Sequence, residues 1–179
     1  MLGETALILA ASGRGGESIE LLLANGADPN IGDRDKNRPL MWFVDTQFHR
    51  GVDTSESIAP LVRAGARIND RDAKGRTVLI WAVTGIGNRF NLRPAVLAQL
   101  VANGADVNAT DPGGETAMFN LVRYIDNALA LDLGPPCIQV LVDAGADRNP
   151  VNRAGKTPLA VVRPMNHLVI DRLRHLGFT

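Results

Sequence analysis

The chain has 179 residues, enough for one domain with a sizeable core, since folding at this size removes about two thirds of the unfolded surface from water. Its 19 basic and 19 acidic residues cancel, so no overall field draws it to nucleic acid or to an anionic membrane. A single cysteine excludes an internal disulfide framework, and no apolar run approaches the ~18 residues that span a bilayer.

Met1 leads straight into Gly3-Glu4-Thr5, which reads as the middle of a structural unit with sequence missing before it. A soluble, cytoplasmic protein is expected, or a periplasmic or secreted one if the missing part is a signal. Thr5 suits a helix N-cap, because its oxygen accepts from an orphan backbone N–H. Residues 6–11 are apolar almost all round, as in a helix packed on several sides. Gly13-Arg14-Gly15-Gly16 reads as a turn, without the Lys-Ser or Lys-Thr that completes a phosphate loop. A second helix then carries Ile19-Glu20-Leu21-Leu22-Leu23, and Gly26 is its left-handed stop.

The same order recurs down the chain. Arg38, Thr77, Thr116 and Thr157 stand where Thr5 stood, and Pro39 and Pro158 take the first helical position, where no N–H is needed. First helices are expected over 39–44, 78–83, 117–122 and 158–162. Second helices are expected around Ile58-Ala59-Pro60-Leu61-Val62, 96–101 and 138–142, stopped by Gly65, Gly104 and Gly145. Asp53 and Glu56 have capping-box spacing, and Asn91 is a candidate cap. The fourth first helix is expected to run on to about Asp132 and stop at Gly134-Pro135-Pro136. Turn-forming stretches such as 70–76 join one unit to the next as projecting fingers.

Four second helices end in Gly-Ala-x-x-Asn, at Gly26 to Asn30, Gly65 to Asn69, Gly104 to Asn108 and Gly145 to Asn149, with glycines 39, 39 and 41 residues apart. Recurrence at this period marks a stacked repeat. The segments Asp72 to Leu79, Asp111 to Met118 and Asn152 to Leu159, with the Gly-Ala-x-x-Asn copies, resemble the ankyrin repeat over essentially the whole chain. The resemblance implies an all-α solenoid of helix-turn-helix units with projecting β-hairpin fingers, in one domain over 1–179 with units near 1–32, 33–71, 72–110, 111–151 and 152–179. It also implies that Asn30, Asn69, Asn108 and Asn149 tie successive hairpins together. The family's histidine is replaced by Ile8, Met41, Ile80, Phe119 and Ala160, so apolar stacking is expected in place of a polar network. The last unit's Arg163, Asn166, His167, Asp171, Arg172, Arg174 and His175 suit a polar end to the stack.

From threonine position to glycine the first unit spans 21 residues, and the next three span 27, 27 and 29. The surplus lies between the two helices, at the edge that in ankyrin repeats is opposite the fingers. Seven of the eight aromatics fall in these three units. Trp42 and Trp81 occupy one repeat position and are expected to stack in the core, with Phe43 and Phe119. Phe48, Phe90 and Tyr124 fall past the family's buried positions and are the aromatic candidates for partner contact. Fingers and the concave face of the first helices, which commonly bind partners in the family, add Arg34, Asp35, Asp45, Lys74, Arg76, Arg123, Arg153 and Lys156. Their mostly positive sign points to an acidic patch on the partner.

No metal site or cofactor is expected. His167 and His175 are more than two helical turns apart, and residues 70–75 resemble a calcium loop except that Lys74 and Trp81 occupy ligand positions. Asn108-Ala109-Thr110 is a glycosylation sequon, but the repeat already uses Asn108. Cys137 reads as a small buried hydrophobe. The resemblance therefore implies a noncatalytic module that binds another protein, with no nucleic acid or membrane partner. A narrower expectation is a bacterial inhibitor or immunity-type protein against a cognate toxin or enzyme. The rival expectation is a hydrolase-like enzyme using the concave groove.

Overall fold

The computed structural model describes residues 4–13, 16–46, 58–84, 93–127 and 134–179. The helices come in antiparallel pairs: α1 (Ala6–Ser12) with α2 (Gly16–Ala24), α3 (Pro39–Thr46) with α4 (Ile58–Arg63), α5 (Val78–Thr84) with α6 (Pro94–Ala102), and α7 (Ala117–Asn127) with α8 (Gly134–Asp143). A 3-10 turn, Leu159–Val161, precedes α9 (His167–His175). No strand forms among the described residues.

First helices pack on first helices, α1 on α3, α3 on α5 and α5 on α7, while α2 meets α4 and α6 meets α8 behind them. The apolar all-round sequence of α5 is explained by this sandwiching: all six residues Val78, Leu79, Ile80, Trp81, Ala82 and Val83 are buried. Burial of side chains of this size stabilises by roughly 1.5–3 kcal/mol each for the larger ones, so α5 is held by packing rather than by its two turns of hydrogen bonds. Leu9 is 55% exposed, although Trp81, four residues past its own threonine as Leu9 is past Thr5, is 3% exposed.

Helix starts follow the threonine pattern. Thr5, Thr77, Thr116 and Thr157 each accept from the backbone N–H three residues on, at 3.1, 3.5, 3.3 and 3.4 Å. Arg38 does something else at the equivalent place: its guanidinium donates to the Arg71 carbonyl at 2.9 Å and pairs with Asp70 at 2.9 Å, reaching into the next unit. The start of α6 has Arg93 at its N-cap, with no side-chain cap bond, and Pro94 inside, while the candidate cap Asn91 lies outside the described residues. Asp53 and Glu56 lie outside the described residues.

Helix stops also repeat. At Gly26, Gly65, Gly104 and Gly145, with φ between 82° and 90°, the glycine N–H bonds back three residues and the following alanine N–H bonds back five. A fifth copy, absent from the sequence reading, is Gly177-Phe178, where Gly177 N–H reaches Arg174 O at 2.9 Å and Phe178 N–H reaches Leu173 O at 3.2 Å. The last unit thus has its own second helix, α9.

Two expected helices differ. The stretch 158–162 makes only a 3-10 turn, because Pro164 disfavours helix at Arg163 and the chain leaves early. The Gly134-Pro135-Pro136 run opens α8, its prolines occupying the first turn where no donor is required, and the expected extension of α7 to about Asp132 lies outside the described residues. Gly134 is needed for packing there, since a Cβ would lie 2.6 Å from the Ile125 side chain.

Candidate functional site

Each finger is one turn built on one side chain. Asp72 N–H donates to Arg76 O and Gly75 N–H to Asp72 O, both at 3.0 Å, while Asp72 Oδ1 accepts the Arg76 N–H at 2.8 Å. Asp33, Asp111 and Asn152 hold the other three fingers by the same bonds. The tips are then joined in pairs. Ala73 N–H donates to Asp35 O at 2.7 Å, and Arg153 N–H donates to Gly113 O at 2.9 Å. Between the third and fourth units the equivalent donor position is Pro112, which has no N–H and instead lies against Gly75.

Below the tips runs an asparagine ladder. Asn30 Nδ2 donates to Gly65 O at 3.0 Å and its Oδ1 accepts from Arg67 N–H at 2.8 Å. Asn69 bonds Gly104 O and Asp106 N–H, Asn108 bonds Gly145 O and Asp147 N–H, and Asn149 bonds Gly177 O and Thr179 N–H. These four side chains stitch each unit to the next, and Thr179 takes the place that an aspartate or arginine fills in earlier units.

The finger carboxylates also hold the first helices. Trp42 Nε1 donates to Asp33 Oδ2 at 3.0 Å and Trp81 Nε1 donates to Asp72 Oδ2 at 2.8 Å. The two indoles meet edge to face with centroids 6.3 Å apart, and the Arg76 guanidinium lies 5.0 Å over the Trp81 ring while it pairs with Asp72 at 2.7 Å. Burial pushes the Asp72 carboxyl up, but bonds from Trp81 and from the Arg76 backbone and guanidinium outweigh it and hold its pKa below 3.8. The expected apolar replacement of the histidine network is therefore half of the account. Ile8, Met41, Ile80 and Phe119 are buried, Ala160 is exposed, and a polar tie comes from the next position along, as tryptophan.

The candidate contact residues meet different fates. Arg34, Asp35, Lys74, Arg153 and Lys156 are exposed at the finger tips. Arg76 and Arg123 are largely occupied by the scaffold: Arg76 closes on Asp72 and Trp81, and Arg123 forms a two-pronged pair with Glu115 beside the Phe119 ring. Asp45 is half-buried near the end of α3. Tyr124 is a correction: it is 9% exposed and belongs to the core. Burial on α7, and after it the neighbouring Cys137 thiol, push its hydroxyl's pKa up, so its ring is spent on packing. Phe48 and Phe90 lie outside the described residues, as do most of the insertions.

Cys137 is fully buried, and burial pushes its thiol up to about 12, which fits the small-hydrophobe reading and not a reactive nucleophile. No group of three or more potential metal ligands occurs among the described residues, and none of the described helices is long and apolar enough to cross a membrane. Sequence reading also missed Asp126, which is 5% exposed in α7 and accepts from Arg163 Nε at 3.1 Å and Asn166 Nδ2 at 2.9 Å. The expected polar end residues of the last unit thus include two that bind inward.

Comparison with known proteins agrees with this geometry. The ankyrin-repeat family matches residues 2–34 and 74–112, which hold α1, α2, α5 and α6. No curated protein matches the chain. Ankyrin repeats generally mediate protein–protein interaction and are typically noncatalytic. The same caps, glycine stops and asparagine bonds continue through the unmatched segments that are described, so the fold is that of an all-α ankyrin-type solenoid.

Proposed function

We propose that residues 1–179 act as one noncatalytic protein-binding domain, whose partner is engaged by the fingers together with the inter-helix insertions. One observation carries this reading. The polar side chains that the scaffold needs are committed to it, as Asn69, Asp72 and Arg76 are, whereas the side chains of Arg34, Lys74, Arg153 and Lys156 are exposed at the tips and, among the described residues, take no part in the bonds that hold the turns, which use only backbone atoms of Arg153 and Lys156. Side chains of that kind are free for a partner, and they sit on a rigid frame, which lowers the ordering cost of binding.

The finer reading is an inhibitor or immunity-type protein of a bacterial cytoplasm that neutralises one cognate toxin or enzyme. The fold analogy supports it and no residue specifies it. A photo-reactive side chain placed at Lys74, and separately at Asp143 on α8, tests the reading in the native source. Stoichiometric cross-linking of one protein from position 74 and not from 143 is the expected result. Equal labelling from both positions, or none, defeats it, and a captured protein without toxin or enzymatic activity defeats the narrower version.

A further inference from the structure

The tips carry a charge pattern that the scaffold does not account for. Arg34, Lys36, Lys74, Arg153 and Lys156 are all exposed, and among the described residues none has a carboxylate partner. Asp35 is the one exposed acid set among them, because Glu115 is closed on Arg123 and Asn152. The chain's net charge is zero, so this excess is balanced elsewhere.

Lys36 is the sharpest part of the pattern. It has φ 59°, and it sits two residues before Arg38, where the other three fingers have Gly75, Gly114 and Gly155 with φ 75°, 78° and 72°. A side chain in the left-handed region costs free energy that glycine avoids, and the turn itself has no use for an ammonium group. Its side chain forms none of the bonds of the turn, which run from the Lys36 backbone N–H to Asp33 O and from Asn37 to Asp33.

Because Ala73 bonds Asp35 and Pro112 lies on Gly75, these residues form a continuous row. Cations of the second and third units stand on one side, those of the last unit stand on the other, and the neutral Pro112-Gly113-Gly114 tip lies between them. We propose that this row binds an acidic stretch of a partner protein laid across the Pro112-Gly113-Gly114 saddle, and that Lys36 is a specificity-determining residue of that contact. The inference rests on the protein-binding reading above and deepens it. Nucleic acid is disfavoured as the occupant, because the four fingers hold no aromatic side chain on which bases could stack and Asp35 interrupts the row.

The probe is a fluorescent, unstructured peptide rich in Asp and Glu, compared with the same peptide carrying Asn and Gln and with single-stranded DNA of equal charge. At low salt the acidic peptide is expected to bind this protein more tightly than either, and to weaken as salt rises. Lys36→Asp with Arg153→Glu is expected to reduce affinity about tenfold or more, whereas Arg174→Glu on α9 changes it less than about twofold. Lys36→Gly is expected to raise the melting temperature while weakening binding about threefold. Tighter binding of the DNA, no binding of the acidic peptide, or binding indifferent to the tip reversals overturns the inference. Affinity unchanged in Lys36→Gly removes Lys36 from it. A partner cross-linked from position 74 whose capture ignores salt and tip charge overturns this inference while leaving protein binding standing.

Discussion

The indole N–H of Trp81 donates to Asp72 Oδ2 across 2.8 Å, so the side chain that shapes a finger also clamps the helix that follows it. Both residues are buried, with Trp81 3% and Asp72 5% exposed, so water cannot replace a lost partner. Trp81→Phe leaves Asp72 with Arg76 and is expected to cost about 1–2 kcal/mol, while Asp72→Ala leaves an indole N–H and a guanidinium unsatisfied and is expected to cost about 2–3 kcal/mol. Urea unfolding of the singles and the double variant should give a coupling of about 1 kcal/mol or more. Strict additivity would remove the clamp from the account. Trp42→Phe, at a half-buried indole, should cost less than Trp81→Phe.

Acid should loosen this same clamp. The folded pKa of Asp72 lies below the ordinary 3.8, so the folded state favours the ionised carboxylate more than the unfolded state does. Its contribution is therefore fully present above 3.8 and is lost as pH falls through the lower, folded value. Melting temperatures recorded from about pH 5 to about pH 2 should fall for the native protein, and should fall less steeply for Asp72→Asn, which is already less stable at neutral pH. Parallel slopes for the two proteins would show that Asp72 carries none of the acid response.

Much of the scaffold was legible because it repeats. Threonine caps, glycine stops and the asparagine ladder each depend on one residue type at one spacing, and four of the five glycine stops are written as Gly-Ala. The fifth was missed because Phe178 stands where alanine stood, and bulk at that place hides the copy although the backbone is the same. The tryptophan clamp had a signal that was not used. Asp33 to Trp42 and Asp72 to Trp81 are both nine residues apart, and that recurrence distinguishes a specific bond from general stacking. Tyr124 misled because burial on α7 depends on how α8 returns, and the path of an insertion is not encoded in a period. The charged tips could be named, but which cations the scaffold neutralises could not, since Arg76 and Lys74 differ only in where the neighbouring chain puts its carboxylates.

Gly75 and Gly155 separate backbone strain from contact. Both have positive φ, at 75° and 72°, yet a Cβ on Gly75 would lie 2.6 Å from Pro112 while one on Gly155 would meet nothing within 4 Å. Gly155→Ala should cost only the left-handed term, about 1 kcal/mol, and Gly75→Ala should cost that plus a displacement of Pro112, about 1–2 kcal/mol more. Thermal or urea denaturation of the two variants checks the difference. Equal losses would mean that the fingers of the third and fourth units do not press together at Pro112.

The asparagine ladder should matter most where it has units on both sides. Asn69 joins the second unit to the third through bonds of 2.9 Å to Gly104 O and 2.8 Å from Asp106 N–H, whereas Asn149 holds only the last unit, through 3.5 Å to Gly177 O and 2.8 Å from Thr179 N–H. In a stack whose stability is a sum of unit and nearest-neighbour terms, weakening an inner junction also weakens the cooperativity that makes the array unfold as one. Asn69→Ala is expected to cost about 1–2 kcal/mol and to lower the urea m-value, because the two sides begin to unfold separately. Asn149→Ala is expected to cost under about 1 kcal/mol and to speed amide exchange mainly over residues 167–179, where Thr179 and α9 lose their tie. If both variants kept a single sharp transition and shifted it equally, the ladder would be a set of independent surface bonds, and the coupling between units would have to reside in the packing of α3 on α5 and α5 on α7 alone.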